Sequence, residues 1–159
     1  MKKVLLVALM AFCSLSMFAQ KGVKEIGGRL NLGFDDPQVG FGFVGRYNID
    51  QHFRPEITLN FYPENNHGLS SWDVNFNLHY LFPIAPRFKL YPMAGLGIIS
   101  YRQEVDRYSA TDTQLGLNLG GGMQYNITSS LHFNAELYYQ CVDDYGRPVL
   151  NLGLVYVFR

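Results

Sequence analysis

Charged residues are scarce in this chain. Asp, Glu, Lys and Arg make up only 16% of its 159 residues, against about 25% in an ordinary soluble domain. The 13 basic residues balance the 13 acidic ones without forming a basic cluster, so the sequence lacks the positive surface that nucleic-acid binding requires. No polar, Pro-rich or Ser-rich stretch is long enough to predict disorder. We therefore expect one folded domain that does not bind nucleic acid.

Long apolar runs are missing except at the N-terminus. There, Lys2 and Lys3 precede an apolar stretch over residues 4–12 that is short for a membrane-spanning helix, and small residues follow it. This order is typical of a secretory signal peptide. The sequence predicts a cleaved signal peptide over residues 1–19 and one mature domain over residues 20–159.

Cysteine is also rare. The chain has two cysteines, Cys13 and Cys141, and the first would leave with the signal peptide. Cys141 would then have no partner within the mature chain, so no intrachain disulfide is expected although the compartment permits one. The domain must be stable without a crosslink.

Helical spacing of apolar residues is absent, and a period of two takes its place. Alternation of apolar and polar residues predicts β-strands with two different faces. The clearest segment alternates Trp72, Val74, Phe76, Leu78, Tyr80 and Phe82 with Asp73, Asn75, Asn77, His79 and Leu81. The other seven segments are 26–34, 39–49, 53–61, 90–98, 115–125, 131–139 and 150–158.

The apolar face of these segments contains no charged residue, no amide and no Ser or Thr. Each segment is about ten residues long, which is the length that a tilted strand needs to cross a bilayer. Eight such strands can close into a barrel whose apolar face points outward into lipid. The sequence therefore predicts an all-β fold, an eight-stranded antiparallel up-and-down transmembrane β-barrel.

Connection lengths alternate as this fold requires. The segments 50–52, 83–87 and 126–130 are short, as are the periplasmic turns of such barrels. Three of the alternate connections are longer and polar, and we expect them to be exterior loops. They cover residues 63–71, 101–112 and 142–148.

The signal peptide, the alternation and the closing run 150–158 resemble the OmpA/OmpX-like eight-stranded outer-membrane barrels of Gram-negative bacteria. The resemblance covers essentially the whole mature chain and implies an integral protein of the outer membrane, surrounded by lipid and lipopolysaccharide. In that family an aromatic residue near the C-terminus forms part of the signal for the barrel-assembly machinery. Here it implies that role for Phe158, with Tyr156 two residues earlier. A monomer is expected, and the sequence does not identify an extracellular partner.

The predicted register sends eight polar or titratable side chains into the lumen. Three are basic and three acidic, so the interior is neutral, and two are histidines. We interpret them as a structural network, because an unpaired buried charge is costly; a gate across a small pore is the alternative interpretation. They are Arg29, Arg46, Arg54, Glu56, Asp73, His79, His132 and Glu136.

Seven glycines fall on the same inner face. Small residues there would let the strands curl tightly around bulky neighbours. They are Gly40, Gly42, Gly95, Gly97, Gly116, Gly120 and Gly122.

The remaining charges separate by side. The exterior loops hold eight acidic residues against three basic ones, so their rim could bind divalent cations shared with lipopolysaccharide phosphates or simply keep the loops soluble. These residues are Asp35, Asp36, Glu64, Glu104, Asp106, Asp112, Asp143 and Asp144, with Arg102, Arg107 and Arg147. The periplasmic side is basic, and its charges are Lys21, Lys24, Arg87, Lys89 and Arg159, with Glu25 and Asp50.

No pattern predicts catalysis, a cofactor or a metal site. His79 and His132 have no serine beside them on their strands, and the four histidines do not show metal-ligand spacing. The leading prediction is a structural or surface-interaction role with a lumen filled by side chains. Three alternatives remain open, namely a narrow gated pore, a lipid A-modifying enzyme and a secreted lipocalin-like ligand-binding barrel.

Overall fold

A computed structural model of the chain describes residues 22–34, 38–64, 68–105, 108–143 and 145–158. The predicted signal peptide, residues 1–19, lies outside these ranges. None of the described residues belongs to a helix long and apolar enough to cross a membrane. The strands are β1 (Val23–Gly33), β2 (Gln38–Asn48), β3 (Phe53–Tyr62), β4 (Leu69–Tyr80), β5 (Phe82–Ala85), β6 (Phe88–Val105), β7 (Tyr108–Asn126), β8 (Leu131–Val142) and β9 (Tyr145–Phe158).

The eight long strands form one closed antiparallel barrel. Their order around the wall is β1, β2, β3, β4, β6, β7, β8 and β9, and β9 pairs with β1 to complete the ring. The short strand β5 pairs only with the start of β6. The prediction of an eight-stranded up-and-down barrel is confirmed, while the predicted turn over residues 83–87 includes part of this extra strand.

One predicted exterior loop is instead part of a hairpin. Strands β6 and β7 stay paired from Phe88↔Tyr125 to Val105↔Tyr108, through most of the segment 101–112. That segment contains no Gly or Pro and includes Tyr, Thr and Val, residues that favour strands. The loop predicted over residues 101–112 was therefore wrong. A polar segment need not be a loop, because a β-ladder can continue into water beyond the apolar belt.

The two faces of the wall differ as predicted. Outward side chains are large and apolar, with Leu30 57%, Phe43 61% and Leu115 63% exposed, whereas the inward Arg54 and Asp73 are 0% exposed. A soluble ligand-binding barrel needs the opposite arrangement, with polar side chains outside. The lipocalin-like alternative therefore does not fit the structure.

A tight turn joins β2 to β3. The Asp50 Oδ1 atom accepts hydrogen bonds from the backbone N–H groups of His52 and Phe53, both at 2.7 Å. These two donors stabilise the carboxylate and lower the pKa of Asp50 below its usual value. We call this end of the barrel, with its short turns, the turn end, and the opposite end the loop end. In barrels of this type the short turns are periplasmic.

Candidate functional site: the barrel lumen

The structure places every predicted lumen residue inside the barrel. All eight are buried, and the most exposed of them, His132, retains 8% of its surface. The inward face also carries a large set of amides and several tyrosines, which connect the charged groups. The polar side chains form three layers, one at each end of the lumen and one at its centre.

The central layer joins opposite walls of the barrel. Three strands lie between Glu56 on β3 and Glu136 on β8 in either direction around the ring. Arg46 binds both carboxylates, with Nε 2.6 Å from Glu56 Oε2 and Nη2 2.6 Å from Glu136 Oε1. Arg29 Nη1 lies 3.0 Å from Glu136 Oε2 and 3.5 Å from Glu56 Oε1. Two guanidinium groups and two carboxylates thus form a closed bridge across the lumen.

Two neutral donors and one amide acceptor complete this bridge. The Tyr91 hydroxyl donates to Glu136 Oε1 at 2.7 Å, and Asn77 Nδ2 donates to Glu56 Oε1 at 3.2 Å. Arg29 Nε donates to Asn60 Oδ1 at 3.1 Å. Buried ion pairs are stable when further hydrogen bonds satisfy their remaining atoms, and most of these atoms are satisfied here.

Arg54 organises the layer at the turn end. Its guanidinium lies 4.7 Å from the centre of the Tyr91 ring and donates to Gln124 Oε1, and its Nη2 is 3.1 Å from His79 Nδ1. The His79 ring stacks on the Tyr91 ring, with 4.6 Å between their centroids. Glu25 Oε2 lies 3.8 Å from Arg54 Nη1. His79 is therefore held by stacking and by a cation.

Asp73 organises the layer at the loop end. Arg147 Nη2 lies 3.2 Å from Asp73 Oδ2, and Asn60 Nδ2 donates to Asp73 Oδ1 at 2.6 Å. Arg147 Nε also donates to Gln140 Oε1 at 3.0 Å, and its guanidinium lies 4.8 Å from the centre of the Tyr62 ring. The loop end of the lumen is consequently filled as well.

Two charged residues that the sequence placed outside the lumen are lumen residues. Arg147 was expected in an exterior loop and Glu25 on the periplasmic side, but they are only 6% and 5% exposed. Both predictions were wrong because the strands extend further than the apolar alternation. Continuing the inward parity back from Asn151 to Arg147, and from Arg29 to Glu25, would have found them. With both included, the buried charged residues that the structure describes are four basic and four acidic, so the packed part of the lumen stays neutral.

One cluster has the composition of a metal site. Ligand atoms of Glu56, His79 and Glu136 lie within 4.8 Å of one another. The sequence offered no spacing signal for it, because the three residues come from β3, β4 and β8. Arg29 and Arg46 already bind both carboxylates, so a cation would have to displace or repel two guanidinium groups. The donor set therefore serves the ion-pair bridge rather than a metal ion.

A cavity of about 510 Å³ opens at the turn end, below the polar layers. We call it the vestibule and define it by Glu25, Asp50, Leu81, Arg87, Lys89 and His132. The cavity beside the central layer, next to Arg29 and Glu136, measures only about 10 Å³, roughly the space that one water molecule occupies. In its described part the lumen is therefore filled by packed side chains, and the vestibule is an open cavity at its turn end.

The predicted assembly residues lie on the outer surface of β9. Tyr156 and Phe158 are both 51% exposed, and their rings meet edge to face with 5.0 Å between centroids. Strand β9 pairs with β1 at the seam that closes the barrel. The aromatic pair thus lies on the outer surface of the barrel, at the turn end of that seam.

Only part of the predicted acidic rim lies within the described residues. Glu64, Asp112 and Asp143 are exposed, and Gln114 Nε2 donates to Asp112 Oδ2 at 2.6 Å. The predictions for Asp35, Asp36, Asp106 and Asp144, and for the Glu104 side chain, lie outside those residues. The binding of divalent cations there stays a prediction.

Solved proteins with the same barrel architecture include the following three. The N-terminal β-barrel domain of Pseudomonas aeruginosa OprF is 18% identical, with a TM-score of 0.75 over 87% of this chain and 100% of that domain. Ail, the attachment invasion locus protein of Yersinia pestis, is 19% identical, with a TM-score of 0.61 over 87% and 100%. The outer membrane enzyme PagL is 9% identical, with a TM-score of 0.58 over 83% and 98%. At these identities the likeness establishes the fold only.

No curated protein sequence matches the chain significantly. The model of the outer membrane protein beta-barrel domain family, however, matches residues 5–158, nearly the whole sequence. This match agrees with the apolar outer belt, the closed antiparallel wall and the polar lumen. The chain belongs to the outer membrane protein beta-barrel domain family and is an integral β-barrel of the outer membrane.

Proposed function

We propose that this protein is a closed, non-catalytic barrel with a structural role in the outer membrane, offering its loop end to surface interactions. The observation that carries this proposal is the bridge from Glu56 through Arg46 to Glu136, which links opposite walls at 2.6 Å per contact. A solute would have to break these charge-assisted bonds to pass. Eight strands already leave an interior only wide enough for side chains.

The loop end supplies the surface available to partners. Strand β7 pairs with β8 only from Gly116 onward, so its outer part, residues 108–115, is supported by β6 alone. This hairpin therefore extends past the neighbouring β8–β9 hairpin. Its described tip-proximal side chains, such as Arg102 and Asp112, are exposed and polar.

A catalytic role has less support. The outer-membrane enzyme alternative requires a histidine that can reach lipid with a nucleophile beside it. His79 is 0% exposed, stacked on Tyr91 and bound by Arg54. His132 lines the vestibule at the turn end, away from the outer leaflet, and its Nδ1 lies 3.1 Å from Gln124 Nε2. Neither arrangement resembles an activated acid–base pair.

Planar-bilayer recording tests the closed lumen. We expect folded protein to give no conductance steps, because the central bridge and the two outer layers fill the lumen. Folding should be verified first by the mobility difference between heated and unheated samples, and a large porin in the same bilayers serves as the positive control. Reproducible ohmic steps from the folded protein would support the narrow-pore alternative and contradict the proposal.

We further propose that Phe158 acts in recognition by the barrel-assembly machinery. Replacing Phe158 with alanine should lower the assembled fraction in cells several-fold, because the exposed ring at the end of β9 would be lost. Phe76→Ala is a matched control, since Phe76 is also outward-facing and 51% exposed. Both variants should refold equally well from urea into detergent. Equal assembled levels of the two variants in cells would contradict the proposal.

A further inference from the structure

One wall of the vestibule carries polar side chains from three neighbouring strands. The backbone N–H of Asn126 on β7 donates to the carbonyl oxygen of Arg87, just before β6, and Asn126 is paired with His132 on β8. One step deeper on the same face, Lys89 is paired with Gln124. Directly opposed residues of an antiparallel pair have Cβ atoms roughly 4.5–5.5 Å apart. Arg87, Asn126, His132 and Lys89, which all line the cavity, therefore form one patch, which we call the donor patch.

The buried Gln124 amide sets the hydrogen-bonding polarity of this patch. The Arg54 guanidinium donates to Gln124 Oε1, so the amide nitrogen faces the two neighbouring side chains. It donates to Asn126 Oδ1 at 2.8 Å and to His132 Nδ1 at 3.1 Å. A neutral imidazole that accepts at Nδ1 carries its proton on Nε2. The groups that Asn126 and His132 have left to offer are thus N–H donors.

The two cations of the donor patch are not matched by acidic groups. No carboxylate in the described part of the chain lies within 4 Å of a side-chain nitrogen of Lys89 or Arg87. Glu25 Oε2 lies 3.8 Å from Arg54 Nη1 and 4.0 Å from Arg46 Nη1, so its charge is already neutralised. The patch consequently presents positive charge and hydrogen-bond donors together.

The remaining carboxylate of the vestibule lies on the far side. Asp50 belongs to the β2–β3 turn, which is diametrically opposite the β7–β8 turn in the ring of eight strands. Its Oδ1 atom already accepts from two backbone N–H groups of its own turn. An anion at the donor patch would therefore be separated from Asp50 by the width of the cavity.

The vestibule has room for an anion with an organic remainder. Its volume of about 510 Å³ lies within the range of roughly 300–1,000 Å³ that is typical of ligand pockets. The buried Leu81 and Val157 provide apolar lining beside the polar wall. The ion-pair layers of the lumen do not use this space.

We propose that the vestibule binds the phosphate group of a small soluble phosphate monoester that enters from the periplasmic side. The phosphate oxygens accept hydrogen bonds from Arg87, Asn126 and His132 and lie beside the Lys89 ammonium. A guanidinium binds phosphate through two parallel N–H bonds, and lysine adds a point charge. The dianion of a monoester has three strong acceptor oxygens and no hydroxyl group on phosphorus, so it matches a patch that offers only donors. This site is independent of whether the lumen conducts ions.

Calorimetric titration of the folded, full-length barrel in nonionic detergent micelles with glycerol 3-phosphate tests the proposal. We expect saturable binding in the millimolar range at low ionic strength. Succinate, which carries the same charge on two separate carboxylates, should bind about tenfold more weakly, a difference of about 1.4 kcal/mol. Equal affinity for the two dianions, or no saturable heat with glycerol 3-phosphate, would overturn the proposal.

Phosphatidylglycerol added to the micelles distinguishes a soluble ligand from a lipid headgroup. The donor patch faces the lumen, whereas lipid covers the outer surface of the wall, so the affinity for glycerol 3-phosphate should stay unchanged. Displacement of glycerol 3-phosphate by an equimolar amount of the lipid would show that the site takes a headgroup, and would overturn the assignment to a soluble monoester.

Three variants locate the site. Lys89→Met should weaken binding of glycerol 3-phosphate about tenfold, and Asn126→Asp should weaken it as much, because a carboxylate would replace a donor. Lys24→Met is the matched control, since Lys24 removes the same charge from the same end of the barrel but points outward and does not line the cavity.

Equal losses in Lys24→Met and Lys89→Met would mean that binding reflects general surface charge, and unchanged binding in both Lys89→Met and Asn126→Asp would exclude the donor patch. Either result contradicts the proposal. The mobility difference between heated and unheated samples verifies that each variant is folded.

Discussion

The Arg46→Ala variant is expected to unfold with a free energy of unfolding about 3–5 kcal/mol lower than that of the native barrel. Arg46 is the cation that binds both Glu56 and Glu136, each at 2.6 Å. Without it, Arg29 alone would face two carboxylates that are only 3% and 2% exposed. Removing one partner of a buried pair is costly because the remaining charge is neither hydrated nor neutralised. Urea unfolding in detergent micelles, followed by tryptophan fluorescence, measures the effect.

Arg87→Ala is the matched control, since Arg87 is an exposed arginine at the turn end. Its loss should change stability by no more than a few tenths of a kcal/mol, in line with exposed charges generally. The double variant Arg46→Ala with Glu136→Ala should lose less unfolding free energy than the two single variants lose in sum, because both partners of the pair are removed together. An unchanged free energy of urea unfolding for Arg46→Ala would mean that the bridge does not stabilise the barrel.

The inward direction of Arg46 could be predicted from the sequence, whereas its partners could not. A period of two fixes which face a side chain occupies even when the strand ends are misplaced. The period sends Arg29, Arg46, Glu56 and Glu136 inward, and the structure has all four buried inside the barrel. Which of them meet depends on the stagger between strands and on closure of the ring. Glu56 and Glu136 lie on opposite walls, and no local pattern encodes that distance.

Strand ends were the least predictable feature. Apolar alternation stops where the membrane stops, but the β-ladder continues beyond it. Glu25, Arg147 and the segment 101–112 all lie in these extensions. The sequence placed Glu25 on the periplasmic side and the other two in exterior loops. Beyond the membrane, the inward residues can still be found by counting every second position from a known inward residue. This signal is weak because both faces of the strand are polar there.

The lumen glycines show how closely this wall is packed. A Cβ atom added to Gly120 would collide with the backbone carbonyl oxygen of Leu137 and with Tyr138. One added to Gly95 would collide with the carbonyl oxygen of Phe76. These atoms belong to the neighbouring strands β8 and β4, which cannot retreat without opening the ring. The glycines therefore provide space that inward curvature requires, as their position on the inner face predicted.

Gly120→Ala should consequently destabilise the barrel by about 1–3 kcal/mol or more, the usual cost of overpacking, because the obstacle is backbone and not a flexible side chain. Gly28→Ala is the matched control: Gly28 faces outward, and its added Cβ would come no closer than 3.8 Å, to the carbonyl oxygen of Gly42. That substitution should be neutral or slightly stabilising, since alanine restricts the unfolded chain. The midpoints of urea unfolding of the two variants provide the comparison. Similar midpoints would show that strand β8 can move away from Gly120, and that curvature of the wall does not depend on glycine at this position.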